Sequence, residues 1–185
     1  MELLQAINGR RSVREFTDEH VSDDVLRELI DAAIQAPSAI NQQPWCFVVV
    51  KDPPLLAHIS DRAKAHLLKA SLGAPAHPFR DMLNDPKFHI FYHAPALIVI
   101  AAAQPTDWGV EDCALAAENL MLAAYGAGLG TCWIGFAQHW LGTADGKAAL
   151  DLPLSYVPVA PIIVGHPRRQ SAPVPHKVPN IRWLE

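Results

Sequence analysis

The chain has 185 residues, half of them hydrophobic, with 15 basic and 19 acidic side chains and a formal net charge of −4. That length suits one domain and suffices to bury a core without disulfide or metal staples. The acidic balance argues against a nucleic-acid binder, which needs a broad basic face. Three cysteines (Cys46, Cys113, Cys132) without CxxC spacing read as free thiols of a reducing compartment.

In chain order, MELLQAIN predicts a short helix with Leu3, Leu4 and Ile7 on one face. It leads into RRSVREF, where Arg10, Arg11 and Arg14 fall within five positions. Thr17 or Ser22 then caps a second helix, SDDVLRELIDAAIQA, which has acids in its first turn and ends at Pro37. WCFVVVK (Trp45–Lys51) is a compact β-branched and aromatic run and predicts a buried strand, broken by Asp52-Pro53-Pro54.

Leu55 to about Leu72 reads as helical. From Gly73 to Pro95 four prolines, four aromatic residues and three histidines interrupt any period. A loop of that length in a compact domain is usually functional or mobile, so a lid or a partner-facing excursion is expected. APALIVIAAA (Ala94–Ala103) predicts a second buried strand and is too short to span a membrane as a helix. Nothing at the N-terminus resembles a secretory signal, so a cytoplasmic protein is expected.

Val110 to Tyr125 predicts the clearest helix, rich in Ala and Leu, with Glu111 and Asp112 in its first turn. GAGLG stops it, with Gly126 or Gly128 as the C-cap glycine, and TCWIGF follows as a short strand. A helix over Asp145–Leu150 and a strand over Ala160–Gly165 complete the regular structure. The proline-rich tail ends in Ile181, Trp183 and Leu184, which suggests that it docks, on another subunit for example.

Three stretches hold candidate chemistry. The arginines with Ser12 fit a phosphate cradle, because a guanidinium pairs with phosphate in bidentate fashion. They equally fit a solvated basic helix end that complements the dipole. APSAINQQPW (Ala36–Trp45) joins a helix to a strand and fits either recognition of a flat heterocycle's edge or a self-satisfied loop. GAGLGTCWIGF carries several glycines, but it closes a helix and enters a strand, the reverse of a dinucleotide fingerprint. Nine histidines show no zinc-ligand spacing, and no metal site is expected.

Taken together, RRSVREF (10–16), APSAINQQPW (36–45), DCALAAENLMLAAYGAGLGTCWIGF (112–136) and PIIVGHP (161–167) resemble the nitroreductase family of flavoproteins, in order and nearly end to end. The resemblance implies an α+β fold: a mostly antiparallel central sheet flanked by helices, one domain over 1–185, in an intertwined homodimer with FMN at the interface. It implies that Arg10, Ser12 and Arg14 contact FMN, with Arg11 beside them, and that Arg14 lies near the pyrimidine side of the ring. Pro37, Ser38, Ala39, Asn41 and Gln43 would approach the ring from the partner, with Trp133, Ile134 and Gly135 packed behind it. A basic residue after the last strand would reach the phosphate; Arg168, Arg169 and Lys177 compete for that role, and Arg168 and Lys177 are the candidates named.

The implied activity is reduction of nitroaromatics, quinones or similar flat acceptors by NAD(P)H in two half-reactions at one site. The flavin carries the chemistry, so no catalytic acid or base is expected. The variable segment 73–95 would wall the acceptor pocket, where Phe79, Phe88, Phe91 and Tyr92 could stack on a flat acceptor, with Phe88, Phe91 and Tyr92 named as the substrate contacts; their other reading is packing against the core. Residues 168–185 would dock on the partner. Two alternatives share the same cradle: a flavin-binding store or sensor without turnover, and a dehalogenating or flavin-destroying relative.

Overall fold

A computed structural model describes residues 2–70, 79–103, 106–169 and 171–184. Seven α-helices, one 3-10 turn and four strands follow one another among these residues. The strands β1 (Trp45–Val50), β2 (Ala96–Ala102), β3 (Gly130–Trp133) and β4 (Val157–Gly165) form one sheet in the order β1-β2-β4-β3, every pair antiparallel. The architecture is the expected α+β.

The two central strands explain why the sheet is covered on both faces. In β2 every residue is buried, so its apolar residues serve two cores by alternation. Ala96, Ile98, Ile100 and Ala102 join one core, and Leu97, Val99 and Ala101 join the other. The first core is completed by α2 (Asp23–Ala33) and α5 (Gly109–Gly126), the second by α3 (Pro53–Ala70) and α6 (Gly135–Leu141). In β4 a register shift opposite Ile100 and Ala101 skips Val159, which lets Val159 and Ala160 both face the first core.

Helix boundaries follow local chemistry. Ser22 caps α2 by accepting the Val25 N–H through its hydroxyl, the second of the two predicted capping residues. Asp52-Pro53-Pro54 breaks the chain after β1 as expected, and the proline pair also opens α3, two residues before the predicted start at Leu55: proline is tolerated in a first turn, where its missing N–H has no helical partner to lose, and the Asp52 carboxylate accepts the Leu55 N–H. The long helix α5 stops in a Schellman arrangement. Leu129 N–H donates to Ala124 C=O, Gly128 N–H donates to Tyr125 C=O, and Gly128 sits at φ +77°. Gly128, not Gly126, is therefore the residue whose missing Cβ the stop requires.

Two helices depart from the sequence reading. TCWIGF does not continue as a strand; β3 ends at Trp133, and α6 begins at Gly135. Within the segment expected to be irregular, α4 covers Arg80–Asn84. Residues 71–78 of that segment lie outside the described residues. The remaining helices are α1 (Leu3–Gly9) and α7 (Ala144–Ala149), the latter one residue earlier at each end than the predicted Asp145–Leu150.

Candidate cofactor and acceptor site

The RRSVREF segment is held as an extra strand-like edge beside β3. Val13 N–H donates to Thr131 C=O at 2.9 Å, and Ser12 and Thr131 form an isolated parallel bridge. Phe16 bridges Pro167, and Thr17 N–H donates to His166 C=O. Along this edge Ser12 and Arg14 are exposed, Val13 packs half-buried against the second core, and Phe16 is buried in it. Glycine permits the close fit. A Cβ on Gly130 would lie 2.8 Å from Val13, and one on Gly9 would strike the Tyr125 phenol.

Two adjoining clefts border this edge. One of about 430 Å³ is lined by Gly9, Arg10, Arg11, Tyr125, Thr131 and Arg169, among others. The other, about 420 Å³, is lined by Ser12, Arg14, Glu15, Arg169 and Ser171 together with Val13 and Ala172. Arg10 ends at the first, where its one ion pair among the described residues is a 3.5 Å contact with the Glu118 carboxylate on α5. Arg11 is committed differently: its Nη1 donates to the carbonyls of Asn8 (2.8 Å) and Arg10 (2.7 Å), closing the end of α1. Arg10, Ser12 and Arg14 remain as donors whose side chains are not tied into the backbone. Such a set fits a phosphoester and its sugar chain.

The two predicted tail contacts are placed elsewhere. The Arg168 guanidinium donates to Phe16 C=O at 3.1 Å, and its N–H donates to Glu15 C=O, so it staples the tail to the N-terminal edge. Lys177 is exposed on the extended tail and lines neither cleft. Arg169 is the basic residue that lines both, paired with Glu15 at 2.7 Å. The two adjacent arginines have different partners, the Phe16 carbonyl for Arg168 and the Glu15 carboxylate for Arg169, which the doublet in the sequence does not resolve.

The 36–45 loop forms a separate feature. Asp112, buried at 3 % exposure on α5, accepts the Ala39 N–H through Oδ1 at 3.0 Å. The Ser38 hydroxyl accepts the Gln43 N–H, and Gln43 Nε2 donates to Asn41 Oδ1. Ile40, Asn41 and Gln43 all have left-handed φ, between 45° and 57°. This conformation costs free energy in non-glycine residues and turns Ile40, at 89 % exposure, outward. Neither RRSVREF cleft is lined by any residue of this loop. Within one chain the predicted Pro37, Ser38, Ala39, Asn41 and Gln43 are thus together, but not beside the arginines.

Trp133 is half-buried against the first core, Ile134 is buried, and Gly135 is exposed with open space where a Cβ would be. Beside Arg14 stands an aromatic wall. The Arg14 guanidinium lies 5.9 Å from the centre of the Tyr92 ring. Tyr92 packs edge-on to Phe88 at 5.7 Å, Phe88 to Phe136 at 6.5 Å, and Phe136 to Phe79 at 5.4 Å. Phe91 departs from its predicted role: at 0 % exposure it is a side chain of the second core, whereas Tyr92 packs half-buried at the margin of that core.

Electrostatics in this region keep the neutral groups neutral. Burial pushes the Tyr92 phenol above its usual value, and Arg14 partly offsets this. Burial also raises the Cys132 thiol, against the lowering pull of Arg14, Ser12 and Arg10, so Cys132 remains a protonated core thiol beside the edge. His89 is lowered to about 4, first by burial and second by His93, and its neutral ring accepts the Phe91 N–H at Nδ1.

Sequence reasoning missed Asp112 as a loop anchor, Glu118 as the partner of Arg10 and Phe136 as a wall residue, all of which depend on which helix faces the site. Of the three basic residues that compete after β4, Arg169 rather than the preferred Arg168 and Lys177 lines both clefts.

A four-stranded antiparallel sheet covered on both faces, with an arginine-serine edge beside its last-paired strand, defines a cofactor-binding α+β protein. The nitroreductase family profile matches residues 7–166, and the chain belongs to the nitroreductase family. It is 32 % identical to an Archaeoglobus fulgidus protein provisionally named NADH dehydrogenase/NAD(P)H nitroreductase, over 90 % of this chain and 86 % of that one. It is 28 % identical to the FMN reductase (NAD(P)H) of Bacillus subtilis, over 94 % of this chain and 69 % of that one. A solved Bacteroides fragilis nitroreductase with bound FMN superposes with a TM-score of 0.82 at 26 % identity, covering all of both chains. A shorter match, 48 % over 54 residues and 29 % of this chain, is to mouse iodotyrosine deiodinase 1.

Proposed function

We propose that this protein is an FMN-dependent oxidoreductase that draws electrons from NAD(P)H and delivers them to flat aromatic acceptors such as quinones or nitroaromatics. The observation that carries the reading is the edge formed by Arg10, Ser12 and Arg14, hydrogen-bonded to β3 and bordered by two clefts. Family membership, and relatives whose names specify FMN and NAD(P)H, support it.

In this reading Arg10 and Ser12 hold the phosphate end of FMN, joined by Arg169. Arg10 leaves Glu118 to do so, exchanging a part-exposed ion pair of small worth for a bidentate phosphate contact. Arg14 stands at the pyrimidine side, where its fixed charge favours the anionic reduced ring. Bound FMN supplies hydride and electron exchange with the nicotinamide and then with the acceptor. Trp133 to Gly135 back the ring, and the absent Cβ of Gly135 leaves room for it. Phe88 and Tyr92 flank the acceptor, and their aromatic faces favour flat rings.

The second part of the proposal is a homodimer. The 38–43 loop is separate from the arginine edge within one chain, so Ser38, Asn41 and Gln43 reach a flavin only from a partner. Leu3, Leu4, Trp183 and Leu184 are each at least 67 % exposed, an apolar surface that a second copy would cover.

The test is an anaerobic titration of the FMN-loaded protein with NADPH and then NADH, following flavin absorbance. Bleaching that recovers on adding a quinone is the expected result. Flavin that stays oxidised with both donors would move the weight to a binder without turnover.

A further inference from the structure

Helix α3 buries one stripe: Leu56, Ile59, Ser60, Ala63 and Lys64, at the spacing of a helix face. Two of these are polar, one turn apart, and one is a lysine at 8 % exposure. Burying an ammonium is costly, and an apolar side chain of similar volume would pack α3 at least as well. What Lys64 does instead is donate to two carbonyls of the turn before the aromatic wall, Phe88 C=O at 2.7 Å and Asp85 C=O at 3.3 Å. Ser60 adds a third anchor by accepting the Ile90 N–H at 3.1 Å. Asp61, exposed, balances the charge from 3.7 Å.

The turn they hold needs holding. Tyr92 and His93 are consecutive non-glycine residues with φ of 52° and 54°. Bulky residues rarely adopt that region, and such strain persists only where the surroundings over-determine it. The left-handed pair is what brings the Tyr92 ring beneath Arg14 while Phe91 stays in the core. Anchors on residues 85, 88 and 90 clamp the chain just before the strained pair.

We propose that Lys64 is a positioning residue for the electron acceptor: by gripping the Asp85 and Phe88 carbonyls it sets the Phe88–Tyr92–Phe136 wall and thereby selects flat aromatic acceptors. The inference rests on the acceptor half of the proposed function and is independent of the nicotinamide half. Lys64 touches neither Arg10, Ser12 nor Arg14, so its effect falls on acceptor binding rather than on retention of the flavin.

The experiment uses the FMN-loaded protein, photoreduced without nicotinamide and mixed anaerobically with either of two oxidants. One equivalent of 1,4-naphthoquinone takes two electrons and two protons to the hydroquinone. Two equivalents of ferricyanide take one electron each, without stacking on a ring. In the wild type the quinone rate saturates with concentration. Lys64→Met raises the half-saturating quinone concentration at least about fivefold and leaves the ferricyanide rate and flavin content unchanged. Ser60→Ala moves it the same way by less, and Lys64→Arg restores most of it. In Lys64→Met, adding Phe88→Leu causes little further loss, because the wall is already displaced.

Equal changes with both oxidants, no change with either, or fully multiplicative effects of the Lys64 and Phe88 substitutions would overturn the assignment. A wild-type quinone rate that never saturates would overturn it too. If Lys64→Met does not yield folded protein, Ser60→Ala and Lys64→Arg decide by the same ratio. Wild type that reoxidises with saturating quinone, yet is never reduced by NADH or NADPH, sinks the donor reading and leaves the role of Lys64 standing. Failure to take up FMN overturns both.

Discussion

At the residue scale, the arginine edge works by division of labour. Arg11 closes α1, Arg168 staples the tail, and Arg10, Arg14 and Arg169 face the clefts. Removing a charged donor from a phosphate costs about 1.5–3 kcal/mol, roughly tenfold to a hundredfold in Kd. Arg10→Ala is therefore expected to release FMN on dilution, measured by the fluorescence of free flavin, whereas Arg168→Ala should lower Tm with a smaller loss of flavin. Gly130→Ala tests the close approach. Its Cβ would meet Val13 at 2.8 Å and push the edge off β3. A loss of about 1–3 kcal/mol in urea unfolding is expected, with weaker FMN binding, as for other overpacked positions.

At the element scale, α5 and the 85–93 turn set the positions of everything else. Through Asp112 and Glu118, α5 touches both the 38–43 loop and Arg10. Asp112→Ala leaves the Ala39 N–H without its acceptor, which costs about 1–3 kcal/mol when buried. Faster hydrogen exchange confined to residues 38–43 is the expected signature. The turn has a pH response through His89, held neutral at about 4 against an ordinary 6.5. Because the folded-state value is depressed, the unfolded chain binds the proton first. The contribution of this site is complete above pH 6.5 and is lost as pH falls toward 4. Thermal melts across that window should show a decline that His89→Gln reduces.

At the scale of the whole molecule, the exposed apolar surface on α1 and the tail calls for a second copy. Sedimentation equilibrium should give a dimer mass. Leu4→Asp with Ile7→Asp should give a monomer that loses FMN, because each site would lack the partner's loop. A monomeric wild type that retains flavin would refute the shared site.

Much of this was legible before folding, for definable reasons. Runs such as ALIVIAA and the period of SDDVLRELIDAA report strand and helix directly, because burial imposes spacings of two and of 3.6 residues. The four family-like segments in order named the cofactor class. Short elements were less legible. TCWIGF has the composition of a strand throughout, yet Ile134 keeps one bond to β4, its N–H donating to Pro161 C=O, and α6 starts at the next residue. Pro53-Pro54 reads as a break after the strand, but that it also forms the first turn of α3 shows only in the structure, where Asp52 caps that turn.

By itself, then, the sequence determined the main strands and helices and the chemical character of the arginine edge, which follow from local periodicity and side-chain type, and it indicated the fold class through its resemblance to a family. Tertiary structure alone decided which of two adjacent arginines faces the clefts, that Phe91 is core while Tyr92 meets Arg14, and that Lys64 grips a turn more than twenty residues away. Those outcomes depend on the pairing of elements distant in the chain, and no local pattern encodes the direction in which a side chain meets a partner it has yet to find.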